Sequence, residues 1–277
     1  MYPLNRLRSA AVLLTLPALG LCFNHASAAT LLTESFDYSA GALIEDNGWL
    51  LNSGTTIKQT ATSPGLTYAG MDTAGLSTQL TQVSSGTSGQ DLAHSFTAQS
   101  SGTLYTSFLI SLSGGPITST VGDYPIHMQQ ISAGPFFNRV VIRTDGLGGF
   151  NFGLRKESSG TIAYESNARA YSTTYLVVMS YEFVDGGTSN DIGSLWVNPT
   201  LTALPPVALL TTTSGVDATG LDRVNLRQSS STGFAHTDTV DEIKVTTTWA
   251  EAIVGVPEPS TSLLGLVAGL GLMRRRR

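Results

Sequence analysis

A single cysteine, Cys22, stands in the 277 residues, and charged side chains make up only 13% of them. Where the charge sits matters more than its total. Of the 15 Lys and Arg, six (Arg6, Arg8, Arg274, Arg275, Arg276 and Arg277) lie at the two ends. Residues 30–256 hold nine cations against nineteen Asp and Glu, a balance of −10. So acidic a body argues against a nucleic-acid partner, which needs clustered cations for its phosphates. No repeat of fixed period and no biased linker divides the body. What is abundant is hydroxyl: Ser and Thr together make about a quarter of the chain. Both favour strands and turns over helix interiors, which excludes a helical bundle. The length suits one large all-β domain or two of ~100–150 residues.

The N-terminus carries Arg6 and Arg8, an apolar stretch over residues 10–23, and then Ala26-Ser27-Ala28. Cationic, apolar and small-residue segments in that order are a secretory signal peptide, residues 1–28, with cleavage expected after Ala28 because Ala26 and Ala28 fit the −3 and −1 pockets of signal peptidase. Lipoprotein processing at Cys22 is disfavoured by Leu21, which stands where a small residue would be needed. Cleavage removes Cys22, and the mature chain is then barred from disulfides, thiolate catalysis and cysteine-based zinc sites.

The C-terminus reads Pro257-Glu258-Pro259, then an apolar run to Met273, then Arg274 to Arg277. Two prolines around a glutamate hold an extended segment, and the arginines act as a cytoplasmic stop by the positive-inside rule. Residues 260–273 would span about 21 Å as a helix against roughly 30 Å of hydrocarbon, so the span is marginal. Pro-Glu-Pro, a short apolar helix and a terminal arginine cluster, behind an N-terminal signal, resemble the PEP-CTERM sorting domain of exported bacterial proteins. That resemblance implies transient inner-membrane anchoring, recognition by an exosortase-like membrane enzyme, and delivery to the cell surface or the extracellular space.

Between the ends, period-two segments recur. In residues 103–112, Leu104, Phe108, Ile110 and Leu112 share one face, with Leu109 the exception; in residues 175–183, Tyr175, Val177, Met179, Tyr181 and Phe183 do the same. These are strands with one side buried. Residues 31–38, 91–97, 126–131, 139–144, 150–155, 192–198, 221–228 and 240–246 are further candidates, separated by Gly-, Pro- and Asp-rich turns. Only residues 247–253 suggest a helical turn. The expectation is an all-β, antiparallel β-sandwich over residues 29–252, plus a short C-terminal apolar helix in a sorting tail of residues 253–277. Ser194-Leu195-Trp196-Val197-Asn198-Pro199 and Val240-Asp241-Glu242-Ile243-Lys244-Val245 resemble late strands of concanavalin A-like jelly rolls of the laminin-G-like and lectin/glucanase superfamily. In that fold the opening segment, here Glu34 to Tyr38, lies beside the closing strand.

Glucanases of that superfamily place their carboxylates on one strand face as Glu-x-Asp-x-x-Glu, within the separation that glycoside hydrolysis requires. No such cluster occurs: Glu34 and Asp37 are three apart, Asp241 and Glu242 adjacent, and strand charges or turn caps are the expected roles. Asp238 and Asp241, with His236 and Glu242 nearby, are the densest oxygen-rich group and the candidate ligands for a structural Ca²⁺. His94, His127 and His236 are too scattered for a zinc triad, and no Gly-x-Ser-x-Gly elbow appears. Carbohydrate binding asks only for aromatics with amide and hydroxyl partners, and the chain has three Trp and nine Tyr. The body is therefore expected to be a non-enzymatic surface or matrix component, with no catalytic residues and no cofactor beyond Ca²⁺, and with extracellular polysaccharide, the Sec translocon, signal peptidase and an exosortase-like enzyme as partners. The alternative is a secreted glycan-active hydrolase. Intact-mass measurement of the exported protein should show loss of residues 1–28 and of the tetra-arginine end; an intact arginine end contradicts sorting.

Overall fold

The computed structural model describes residues 29–253, apart from 72, 87–88 and 131–134. The signal-peptide residues Ala26 and Ala28, the Pro257-Glu258-Pro259 motif, the apolar tail helix and Arg274 to Arg277 lie outside the described residues. Within them no helix is long and apolar enough to cross a membrane.

Fifteen strands, one 3-10 turn (Ile44–Asp46) and one short α-helix are described. The first seven strands are β1 (Thr30–Glu34), β2 (Leu50–Ser53), β3 (Ala61–Thr62), β4 (Ser77–Gln82), β5 (Asp91–Gln99), β6 (Gly102–Gly114) and β7 (Asp123–Gln129). They are followed by β8 (Phe136–Thr144), β9 (Phe150–Glu157), β10 (Ala163–Tyr164), β11 (Thr174–Phe183) and β12 (Ile192–Val197). Last come β13 (Leu210–Thr212), β14 (Leu221–Leu226), β15 (His236–Thr246) and α1 (Trp249–Ile253). They form two antiparallel sheets. One has eight strands in the order β13-β12-β11-β6-β15-β4-β3, with β1 also on β15; the other has seven, β10-β9-β8-β7-β14-β5-β2.

The expected period-two faces close over one core. Leu104, Phe108, Ile110 and Leu112 of β6 meet Tyr175, Val177, Met179 and Tyr181 of β11 in the space between the sheets. The exception, Leu109, has its own reason. With Leu176, Val178 and Trp196 it forms a second apolar layer on the opposite face of the eight-stranded sheet, covered by Trp249, Ala252 and Ile253 of α1. The opening and closing strands pair as expected, Leu32 with Val245 and Glu34 with Ile243.

The seven-stranded sheet turns Leu92, Ile126, Met128, Val140, Ile142, Phe152, Leu154, Val224 and Leu226 to the core. Strand alternation then sends their neighbours to the other side, so burying this set fixes which side chains line the outer face. Phe152 is fully buried, with ring centroids 5.3 Å from Phe150 and 5.8 Å from Tyr175. Phe152→Ala should cost about 3–5 kcal/mol in denaturant unfolding; a loss below ~1 kcal/mol would contradict the packing described.

Candidate functional site

The outer face of the seven-stranded sheet is polar, cationic and aromatic. Of the six arginines between residues 30 and 256, five lie on it: Arg139 and Arg143 of β8, Arg155 of β9, and Arg223 and Arg227 of β14 and the residue just beyond it. Register places them. Arg139 pairs with Arg155, and Arg143 with Asn151. Arg223 pairs with Gln129, and Asn225 with His127, while the Arg227 amide donates to the Pro125 carbonyl at 2.8 Å.

Aromatic rings hold the guanidiniums. Arg139 and Arg227 each stand 4.4 Å from the Tyr124 ring centre, and Arg143 stands 3.8 Å from that of Tyr164. Such cation–π contacts partly offset the repulsion of like charges. Tyr164 reaches this position because it pairs with Gly153, where a Cβ would fall 2.5 Å from the Tyr164 ring. Asp123 accepts from both Arg227 and Ser229, and Arg139 donates to Ser158.

At the centre lies His127, 1% exposed, with the Phe136 ring at 4.5 Å and the Tyr124 ring at 5.4 Å. Neither ring nitrogen has a hydrogen-bond partner. Burial, reinforced by the Arg139 and Arg227 guanidiniums, holds its pKa well below the ordinary histidine range, so the imidazole is neutral. Beside it Asn225 is 0% exposed; its Oδ1 accepts from Asn52 Nδ2 at 3.3 Å, while its Nδ2 has no partner. The Nε atoms of Arg139, Arg143 and Arg223 are buried without partners too. Unsatisfied buried polar atoms are rare, and five residues of this one sheet face carry them.

The arginines were open to sequence reading through their i, i+4 spacing (Arg139 and Arg143, Arg223 and Arg227), which puts each pair on one strand face. Which strands lie side by side was not.

The calcium candidates are placed differently. On β15, Asp238 accepts from Gln82 Nε2 at 2.9 Å and lies 3.0 Å from His236 Nε2. Asp241 accepts the backbone N–H groups of Leu66 and Glu242, both at 2.7 Å. The two carboxylates thus sit in separate networks, and among the described residues no three His, Cys, Asp or Glu converge as metal ligands. An ion there would have to replace these contacts. Of the two roles expected for Glu34, Asp241 and Glu242, the structure selects the cap, and buries it: Glu34 takes the Phe36 amide at 2.6 Å and Trp49 Nε1 at 2.9 Å, and Glu242 takes the Ala74 amide at 2.6 Å. The tryptophans serve the interior rather than a sugar platform, at 1%, 7% and 3% exposure for Trp49, Trp196 and Trp249.

Solved structures resemble this architecture. The alginate lyase Aly36B in complex with alginate trisaccharide matches with a TM-score of 0.53 at 11% identity, over 78% of this chain and 97% of that one. Aly36B in a second structure matches with 0.50 at 10% identity, over 77% and 95%. The fold is a jelly-roll sandwich. An endo-1,3-β-glucanase from Streptomyces sioyaensis is similar at a TM-score of 0.44 and 14% identity, over 80% and 97%. No protein-family model matches the chain, and no curated protein matches it in sequence. At such identities the likeness shows the fold alone. It also corrects the expectation of a non-enzymatic body: that expectation rested on a missing glucanase carboxylate pattern, and the structures sharing the jelly roll include lyases, which are enzymes.

Burial pushes the Asp241 carboxyl up to about 7, with Glu242 and Glu34 adding and the two amides opposing. Its folded pKa is above the unfolded one, so its contribution is full at low pH and lost as pH rises through about 7. Asp241→Asn should therefore flatten the fall in melting temperature between mildly acidic and alkaline buffer; an unchanged slope contradicts the assignment.

Proposed function

We propose that this chain is an exported polysaccharide lyase that binds an anionic, uronate-containing glycan across the outer face of the seven-stranded sheet. One observation carries the reading: a body with a charge balance of −10 gathers five of its six arginines on one sheet face, around a buried histidine with two unpartnered nitrogens. The alginate ligand of the similar lyase structure supports the same substrate class.

The chemistry follows from the groups present. Guanidinium forks pair with carboxylates in two-point fashion and are always charged, so Arg139 and Arg155 suit a uronate carboxylate. Pairing that carboxylate makes the adjacent C5–H more acidic. A neutral His127 takes the C5 proton, C4=C5 forms as the C4–O bond breaks, and the imidazolium returns the proton to the departing oxygen. No oxidant or further reactant enters the balance. The Tyr124 and Phe136 rings lie against His127, so the sugar displaces these rings as it binds, and with them the Arg139 guanidinium stacked on both. A glycan carboxylate compensates Arg139 for the ring and Ser158 contacts it leaves.

Export and sorting belong to the same proposal. The signal peptide of residues 1–28 would be removed by signal peptidase after Sec export, and the Pro257-Glu258-Pro259 tail would be read by an exosortase-like enzyme. The lyase would then act at the cell surface beside its substrate.

The test is ultraviolet detection of the unsaturated uronate when the purified body meets alginate, polyglucuronate and mixed uronate polymers. His127→Gln should lower kcat by about 10²- to 10⁴-fold with the melting temperature preserved, and the acid limb of the parent's pH profile should lie well below the ordinary histidine range. Absence of unsaturated product from every polymer, or an undiminished kcat in the variant, overturns the proposal.

A further inference from the structure

Strand register draws one line of side chains across the outer face, perpendicular to the strands. Leu50 pairs with Ala93, Ala93 with Asn225, and Asn225 with His127. The pairs Ile126 with Val140 and Met128 with Phe137 set His127 against the Asn138–Arg139 step, and Arg139 pairs with Arg155. Six adjacent strands at ~4.8 Å spacing make this row about 24 Å long, enough for several sugar residues.

The row is divided by charge. From the β2 edge to Asn225 it holds an exposed leucine, a small alanine and an amide: Leu50 is 54% exposed, whereas Ala93 and Asn225 are buried. Beyond His127 it holds two guanidiniums. Asn225 Nδ2, fully buried and unpartnered, is a donor suited to a hydroxyl, a ring oxygen or an acetyl carbonyl. Leu50 offers an apolar surface to the face of a sugar ring. Two further cations flank Asn225, each two residues along from it and about 7 Å off the row. Arg227 is neutralised there by Asp123, and Arg223 lies opposite Gln129.

Resting on the reading of this face as the glycan site, we infer that the substrate is a heteropolymer in which an uncharged sugar adjoins the uronate. The uronate lies over β8 and β9, and the uncharged sugar lies over β14, β5 and β2. His127 stands at the boundary between the two halves, so the bond broken joins the uronate C4 oxygen to the uncharged sugar. Each cut leaves an unsaturated uronate on one fragment and an uncharged sugar at the new reducing end of the other. A homopolymer of uronate would set a second carboxylate over Ala93 and Asn225, where no guanidinium stands in the row.

Hyaluronan, in which glucuronate alternates with an uncharged N-acetylhexosamine, and the homopolymers alginate and polyglucuronate separate the possibilities. The body should bind and cleave hyaluronan with a kcat/KM at least about tenfold above that for either homopolymer. Mass spectrometry should find the N-acetylhexosamine at the new reducing end. Asn225→Ala should shrink the preference toward unity, with a circular-dichroism spectrum matching the parent's. Equal or better cleavage of a homopolymer, or a uronate at the new reducing end, overturns this inference and leaves the lyase reading standing. Binding to none of the three overturns both.

Discussion

Each strand of the seven-stranded sheet must give one face to the core it shares with the other sheet, and that constraint organises the rest of the molecule. Ile126 and Met128, Val140 and Ile142, and Val224 and Leu226 are buried because water excludes them. Once they are fixed, His127, Arg139, Arg143, Asn225 and Arg227 have one place to go. The candidate site is therefore a by-product of core packing in geometry, though not in chemistry. A one-residue slip of β8 or β14 would exchange the guanidiniums for valines and leucines and place charge inside the sandwich, which is why register is strongly specified here.

The chemistry of the face carries a cost. Five guanidiniums gathered on one sheet repel one another, and buried donors without partners each lose hydration. Stacking on Tyr124 and Tyr164 and the Arg227–Asp123 pair offset part of this. Elsewhere one buried cation is fully paired. Lys156, fully buried, meets Asp217 at 2.7 Å, and Asp217 also accepts the Asn190 and Asp191 amides. Six unpartnered buried atoms, on His127, Asn225, Arg139, Arg143 and Arg223, share the outer face, where a ligand could meet them.

Much of the fold was legible because its signals are local. The apolar alternation of residues 103–112 and 175–183 reported β6 and β11, while the reason for the irregular Leu109, the second apolar layer under α1, came only with the structure. Within the expected stretches 31–38 and 240–246, Leu32, Thr33 and Glu34 pair with Val245, Lys244 and Ile243 as opening and closing strands. The site was less legible because it is non-local. β14 lies between β7 and β5 although ninety or more residues separate it from either, so nothing in sequence order announces that Arg223 faces Gln129. A carboxylate pair marks hydrolase chemistry, while the face offers guanidiniums and an imidazole. Glu34 could not be assigned from its spacing to Asp37 either, because its burial depends on Trp49 and Tyr38 folding over it.

The central claim is that an anionic glycan binds along the row from Asn225 to Arg155. The most direct measurement is an NMR titration of the body with hyaluronan oligosaccharides, following arginine Nε–H, asparagine amide and histidine ring resonances at low and high salt. The account predicts saturable shifts confined to Arg139, Arg155, Asn225, His127 and their neighbours on the outer face, weakening as salt rises. Shifts on the α1-covered face of the eight-stranded sheet, or none at ligand saturation, would contradict it.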